Sequence, residues 1–201
     1  DKMLDKPIIG VGCHFQADEE YFAVRKDYTE AIERAGGLPI IIPIIDNVEV
    51  RNKLLSMCSG LLMTGGFGRK KITERSFIPL RDQHPERYDY DKYIIEYALE
   101  NDVPFLGICR NHQMLNKVSN GTINLKLPTE QISHYQYTPG NQASHKVRVI
   151  QNTRLRKIVD ADSLNVNSFH TQGIKQVAPG FIASAVSEDG LIEAIESNNH
   201  T

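Results

Sequence analysis

Cys109 is the residue whose setting could support covalent chemistry. It follows the apolar run 103–108, which reads as a buried strand, and it precedes 110–119, where Met114, Leu115 and Val118 fall at helical spacing. A side chain at such a strand-to-helix turn stands at the carboxyl end of a strand, where parallel sheets bind ligands. A thiol there feels the positive partial charge of the helix N-terminus, which favours its thiolate, and the first helical N–H groups can hold an oxyanion. Both serve attack on an acyl carbon. Gly107 suits the sharp turn of a G-x-S-x-G elbow, although Asn111 occupies the position of the second glycine. Taken alone, a cysteine at a strand end is more often a small buried hydrophobe than a nucleophile, so the case rests on what surrounds it.

A covalent acyl transfer also needs donors for the oxyanion and a base that later protonates the leaving amine. The N–H of Arg110 and the backbone at Gly65-Gly66, just past the apolar run 60–64, are the expected oxyanion hole, because glycine lets backbone approach a ligand closely. A plain turn after a strand is the competing reading of the two glycines. Cys13 and Cys58 read as inert fillers at a strand end and a helix end. His112, in the helix after the cysteine, reads as a surface or supporting residue. The cluster Arg69-Lys70-Lys71 reads as solvated. His134 and His145 have no metal-ligand spacing with any partner, so neither a metal site nor a cofactor is expected.

The elements that must position Cys109 follow from the apolar pattern. Residues 7–12 read as a first strand, 21–35 as a helix with Tyr21, Val24, Tyr28, Ala31, Ile32 and Ala35 on one face, and 38–42 as a second strand. A helix over 48–57, a strand over 60–64 and a helix opened by Pro85 and ending near Asn101 continue the rhythm. Residues 67–84 are basic and aperiodic, as expected of an active-site border loop. From Lys146 onward the pattern becomes β-rich, with runs at 147–150, 164–166, 182–186 and 191–195. Strands alternating with helices predict an α/β fold whose parallel sheet carries helices on both faces.

The chain has 201 residues, 40% hydrophobic and 24% charged, with a formal net charge of -2. It is long enough for one substantial domain, and with no linker or repeat a single domain over 1–201 is expected. The charge balance gives no sign of a nucleic-acid partner. The longest apolar stretch, 38–45, contains two prolines and is too short to span a membrane. Three well-separated cysteines without CxxC, and no signal peptide at the N-terminus, make a reducing cytoplasm the expected location.

Gly107-Ile108-Cys109-Arg110-Asn111-His112-Gln113-Met114-Leu115-Asn116 resembles the nucleophile motif of class I glutamine amidotransferases, and within them that of the γ-glutamyl-γ-aminobutyrate hydrolases, the C26 peptidases. Further blocks resemble the family's in its order: Pro7-Ile8-Ile9-Gly10, Leu61-Leu62-Met63-Thr64-Gly65-Gly66, Pro85-Glu86-Arg87, Asn167-Ser168-Phe169-His170-Thr171-Gln172 and Asp189-Gly190-Leu191-Ile192-Glu193-Ala194-Ile195-Glu196. The resemblance implies a flavodoxin-like three-layer sandwich with a central, mostly parallel sheet. It implies Cys109 as the nucleophile that forms a γ-glutamyl thioester, with Gln113, Ser168, Phe169 and His170 on the glutamyl side of the pocket and a small γ-glutamyl compound as substrate. A solvated helix glutamine and a structurally satisfied histidine are the plainer readings of Gln113 and His170. A homodimer stays open.

The sequence also departs from the family's pattern. Phe67 and Gly68 replace a third glycine and an acidic residue, Asn111 replaces a glycine, and Tyr88 follows Arg87 where many relatives carry aspartate. The family's base and its orienting carboxylate lie in a His-Pro-Glu one strand beyond the Glu-Ala block, and no such text follows Glu196. His84-Pro85-Glu86 repeats the text before the nucleophile, at a position expected to open a helix. A C-terminal strand trimmed from the sequence is the expected reason, since loss of an edge-covering strand would expose apolar sheet. The expected activity is hydrolysis of a γ-glutamyl amide or peptide bond. Its alternatives are a silent binding or regulatory module and a glutaminase subunit feeding ammonia to a synthase.

Overall fold

Leu61, Leu62 and Met63 face two different cores in succession, and that alternation organises the N-terminal half. The computed structural model describes residues 5–16, 20–66, 78–128 and 131–201. The first four residues, the cluster Arg69-Lys70-Lys71, and Phe67 and Gly68 lie outside the described residues. β1 (Ile8–Gly12), β2 (His14–Gln16), β3 (Tyr21–Ala23), β4 (Leu38–Ile42), β5 (Gly60–Met63) and β6 (Phe105–Gly107) are its first six strands. Four of them form a parallel sheet in the order β4-β1-β5-β6. The chain steps from β1 to one side and then to the other, the flavodoxin-like order with its switch point between β1 and β5.

The helices of this half are α1 (Lys26–Arg34), α2 (Val48–Ser56), α3 (Leu80–Gln83), α4 (Pro85–Glu100) and α5 (Arg110–Val118). Leu61 and Met63 pack with Ile42, Leu55 of α2 and Tyr90, Ile94 and Ala98 of α4. Leu62 points the other way, toward Val11 and Ile32 of α1. All four residues of β5 are buried, which is why a strand covered on both faces reads as an unbroken apolar run. Asn47 caps α2 by accepting from the Val50 N–H at 3.1 Å, and Pro85 starts α4 at the favoured first position.

The helix expected from Tyr21 starts five residues later. Tyr21–Ala23 instead pairs antiparallel with His14–Gln16, and the Phe15 and Phe22 rings meet across the pair with centroids 5.9 Å apart. Aromatic cross-strand contact suits a hairpin better than a first helical turn. Residue spacing at three and four positions fits both until the partner strand is known.

The chain divides into two compact units, one holding the described residues of 1–68 and 80–115 with His200 and Thr201, the other 78–79 and the described residues of 116–199. The second carries β7 (Thr122–Asn124), β8 (His145–Val149), β9 (Ser163–Val166), β10 (Gly173–Gln176), β11 (Phe181–Ser187) and β12 (Ile192–Ser197), with α6 (Arg154–Val159) between β8 and β9. Its sheet runs β7-β10-β12-β11-β8-β9 with antiparallel pairs. The four β-rich runs read from sequence are β8, β9, β11 and β12. β7 and β10 escaped the pattern because Thr122, Asn124, Lys175 and Gln176 interrupt any apolar alternation. The fold is α/β with a parallel central sheet flanked by helices, as expected. Among the described residues no helix is long and apolar enough to cross a membrane.

The turn from β6 to α5 is held by close packing. A β-carbon on Gly107 would lie 2.7 Å from the Asn111 carbonyl oxygen and 2.8 Å from its carbon, so the helix starts where only glycine lets it. Gly107→Ala should therefore lower stability by about 2–3 kcal/mol through overpacking against backbone. An unchanged urea midpoint for that variant would contradict the packing described.

Candidate active site

Cys109 sits in the left-handed backbone region, at φ 53°. For a residue with a β-carbon this costs roughly 1–2 kcal/mol, and such strain persists only where neighbouring bonds over-determine it. Those bonds are present on both sides. The Ile108 N–H donates to Met63 O at 2.9 Å, the Asn111 N–H to Ile108 O at 3.1 Å, and the Gln113 N–H to Cys109 O at 3.1 Å. Strand β6 thus stays in register with β5 up to the turn, and the Cys109 carbonyl accepts a hydrogen bond from the first turn of α5.

A buried charge network fixes the facing strand end. Arg87, Asp91 and Arg110 are 1%, 0% and 3% exposed, which leaves water no part in neutralising them. Arg87 Nε donates to one Asp91 oxygen at 3.2 Å and Arg110 Nε to the other at 2.9 Å. The remaining Arg87 nitrogens reach the carbonyls of Gly65 and Thr64, each at 2.7 Å, and Arg110 Nη1 reaches Leu80 O at 3.0 Å. Asn111 Nδ2 also donates to Thr64 O at 2.8 Å, and Thr64 Oγ1 donates to Gly12 O at 2.8 Å. The segment Thr64-Gly65-Gly66 is therefore held from α4, from α5 and from β1. Asn111 is fully buried in this network, so the departure from glycine supplies a clamp to the turn.

Of the residues expected around the thiol, the first unit brings Gly65, Gly66, Arg110 and Gln113 together with Cys109. The Gly65 N–H donates to the Tyr28 hydroxyl at 3.1 Å. A β-carbon on Gly65 would lie 3.4 Å from the Cys109 β-carbon, so this glycine contributes close approach while its own N–H is engaged. The backbone N–H groups of Arg110 and Gly66 act on the sulfur by lowering its pKa. Gln113 is buried, which removes its reading as a solvated helix glutamine.

Electrostatics at the thiol differ from the expectation drawn from the helix terminus alone. Burial pushes the Cys109 thiol above its ordinary range, and this outweighs the N–H groups of Arg110 and Gly66 and the guanidiniums of Arg110 and Arg87, which pull it down. Two guanidiniums share the single Asp91 carboxylate, so one positive charge is left over beside the sulfur. Charge balance improves when negative charge develops there. Cys13 and Cys58 behave as core residues: their thiols donate to Ile42 O at 3.2 Å and Leu54 O at 3.4 Å, and burial pushes both up. His84 caps α4, where its carbonyl accepts from the N–H groups of Arg87 and Tyr88.

Ser168, Phe169 and His170 lie in the second unit. The Ser168 N–H donates to Gln136 Oε1 at 2.7 Å and its hydroxyl to His134 O at 2.9 Å, while Phe169 packs edge-on against Tyr135. His170 belongs to a cluster that spacing did not reveal. Its Nε2 lies 3.5 Å from Glu193 Oε2, while His134 Nδ1 and His145 Nε2 lie 3.0 and 3.8 Å from Glu193 Oε1. His134 Nε2 meets Asp189 Oδ2 at 3.0 Å. His134 and His145, which show no metal-ligand spacing in the sequence, share Glu193 as a neighbour in the structure. β8 and β12 both flank β11, and sheet order brings together residues 48 positions apart, which no local motif can show. Burial favours the neutral acid at Glu193, but the neighbouring imidazoles of His134 and His170 outweigh it and hold the carboxyl below its usual range.

Comparison with known proteins places these features in context. The family model of Peptidase C26 matches residues 7–201. RP404 of Rickettsia prowazekii, glutamine amidotransferase-like by name, is 31% identical over 98% of this chain and 88% of its own length. The γ-glutamyl-γ-aminobutyrate hydrolase PuuD of Escherichia coli K12 is 30% identical over 100% of this chain and 84% of its own. A glutamine amidotransferase structure from Methylobacillus flagellatus superposes with a TM-score of 0.61 at 19% identity, over 96% of this chain and 66% of that one, a likeness of fold.

Two outcomes test the site's physics. Arg87→Met strips the Gly65 carbonyl of its guanidinium donor, leaves Thr64 O with Asn111 Nδ2 alone and leaves Asp91 with one partner, so chemical denaturation should show a loss of about 3 kcal/mol or more. A loss below about 1 kcal/mol would show that the network is not structural. A raised thiol pKa means less thiolate at any given pH. The pH of half-maximal alkylation of Cys109 in the folded chain should therefore lie above that of free cysteine, about 8.5, and a value at or below it would refute the assignment.

Proposed function

The chain belongs to the Peptidase C26 family of glutamine amidotransferase-like γ-glutamyl hydrolases, and on that premise we propose that it cleaves γ-glutamyl amide bonds through a thioester on Cys109. The observation that carries this reading is a cysteine held in a left-handed turn at the start of α5, with the glycine backbone at Gly65 packed 3.4 Å from its β-carbon. Attack of the Cys109 sulfur on the γ-carbonyl forms a carbon–sulfur bond and moves the carbonyl electron pair onto oxygen. The backbone N–H groups of Gly66 and Arg110, beside the attacking sulfur, are assigned to take up that charge, a contribution of about 3–4 kcal/mol per donor in comparable sites. The excess positive charge of the Arg87–Asp91–Arg110 network favours the same state. Collapse expels the amine, which takes the proton lost by the thiol. Water then adds to the thioester, releases glutamate and restores the thiol.

Gln113, one turn into α5 and buried, is assigned to the glutamyl group on the family's pattern. Its amide offers both donors and an acceptor, matching the α-amino and α-carboxylate groups of a glutamyl moiety. A raised resting pKa suits this scheme, because a thiol that stays protonated until substrate arrives is protected from oxidation and gains its charge in the acylation step.

Acylation is the step to test. Incubation with a glutamine chloroketone followed by peptide mapping should place the label on Cys109 and spare Cys13 and Cys58, and label on either of those would sink the assignment. Cys109→Ser should retain the thermal transition of the parent chain while release of glutamate from γ-glutamyl amides falls by at least about a thousandfold. Turnover persisting in that variant would rule out a thioester. Tight, saturable binding of the same amides with no acylation of the unsubstituted chain would favour a silent binding module.

A further inference from the structure

Three imidazoles converge on one half-buried carboxylate, Glu193, in the second unit, and their outward nitrogens are already committed. His134 Nε2 faces Asp189 Oδ2 at 3.0 Å, His145 Nδ1 faces Lys146 O at 3.3 Å, and His170 Nδ1 faces Gln172 O at 2.9 Å. Carboxylate and carbonyl oxygens only accept, so in a neutral ring each of these nitrogens carries the proton. The inward nitrogens, His134 Nδ1, His145 Nε2 and His170 Nε2, then present lone pairs toward the oxygens of Glu193. Lone pairs facing a carboxylate repel unless positive charge lies between them. Among the described residues, His134 Nδ1, His145 Nε2 and Glu193 Oε1 are buried without a hydrogen bond, a costly arrangement for three groups in one place.

We propose that His134 Nδ1, His145 Nε2 and Glu193 Oε1 are the ligands of a single divalent transition-metal ion of zinc's kind. The three atoms lie within 4.8 Å of one another. Glu193 Oε1 is 3.0 Å from His134 Nδ1 and 3.8 Å from His145 Nε2. Nitrogen and oxygen ligands on tetrahedral zinc stand roughly 3.4 Å apart, so a small inward shift of the His145 ring closes the set. Two imidazoles and one carboxylate select zinc, cobalt or nickel over calcium and magnesium, which take oxygen ligands. Three protein ligands leave a fourth position, to which His170 Nε2 is the next nitrogen and water the alternative.

The supporting residues fit the same assignment. Asp189 orients His134 through its distal nitrogen, the carboxylate–histidine–metal arrangement that fixes a ligand's tautomer and raises its basicity. Asp189 is itself held by the Ser187 hydroxyl. A cavity of about 370 Å³, lined by Gln131, Ser133, Gln136, Ser144, His145 and Lys146, gives an ion a route to the site, since His145 belongs to both. The ion would tie β8 to β12 across β11 and lock the segments that carry His134 and His170.

The test uses the full chain, stripped with a chelator and titrated with Co(II) and Zn(II). We expect one equivalent of Co(II) per chain, with visible d–d bands and no thiolate-to-metal charge-transfer band. Excess Zn(II) should raise the thermal midpoint by several degrees. His145→Gln and Glu193→Gln should each weaken binding at least about tenfold, and Asp189→Asn about 10- to 100-fold, with the metal-free variants matching the parent in far-UV circular dichroism. Cys109→Ser should bind with unchanged stoichiometry. Failure of the parent chain to take up either ion would overturn the proposal and leave a proton-bridged histidine–carboxylate cluster. Unchanged affinity in both ligand variants, or a charge-transfer band that Cys109→Ser abolishes, would overturn it equally.

Discussion

The sharing of one buried carboxylate by two guanidiniums is the constraint on which the first unit's site depends. Asp91 binds Arg87 and Arg110 through its two oxygens, the other Arg87 nitrogens are spent on the Thr64 and Gly65 carbonyls, and Arg110 Nη1 is spent on Leu80 O. Strand β5 ends at Met63, and without these donors the Thr64 and Gly65 carbonyls would be buried with little to satisfy them. The network thus lets irregular backbone leave the sheet beside buried charges and holds Thr64 and Gly65 next to a cysteine in a left-handed conformation. Replacing such a network by apolar side chains can preserve stability in general, so its retention here is better explained by the backbone it aims than by its net energy.

The same network sets the electrostatics of the thiol. A helix N-terminus by itself predicts a depressed pKa, yet desolvation of the sulfur is the larger effect and raises it. The donors and the surplus guanidinium charge then act on whatever negative charge appears later. The oxyanion of the tetrahedral state is a smaller, harder anion than a thiolate and accepts stronger hydrogen bonds from N–H groups. Preorganised dipoles favour the transition state over the ground state when they are aimed at charge that only the former carries.

Local chemistry was legible in the sequence, and long-range pairing was not. Cys109 announces itself because strand, turn and helix lie within one short stretch, and Gly107 marks the close approach between them. Arg87 and Asp91 went unread as site residues, although their i,i+4 spacing places them on one side of α4. Hydrophobic periodicity assigns charged residues to solvent by default, and only the packing of Tyr90 and Ile94 into the core shows that this part of α4 is covered. The hairpin at Tyr21–Ala23 was missed for a related reason: its partner, not its spacing, decides its conformation. His134, His145 and Glu193 are the extreme case, since their proximity is a property of sheet order.

The two clusters obey one electrostatic rule from opposite signs. Around Asp91 the cations outnumber the anions, and the surplus lies beside a sulfur that acquires negative charge during acylation. Around Glu193 the acceptors outnumber the protons that neutral imidazoles can offer inward, and the deficit calls for a cation. In each unit a buried polar constellation is left one charge short of balance by its own residues. A folded chain holds such an imbalance only where surrounding hydrogen bonds fix every other contact, as Thr64, Gly65 and Asn111 do for one cluster and Ser187, Asp189, Lys146 and Gln172 do for the other. Most of the outer bonds are made while the inner charge is unbalanced, which is the physical form that readiness for a missing partner takes in a protein interior.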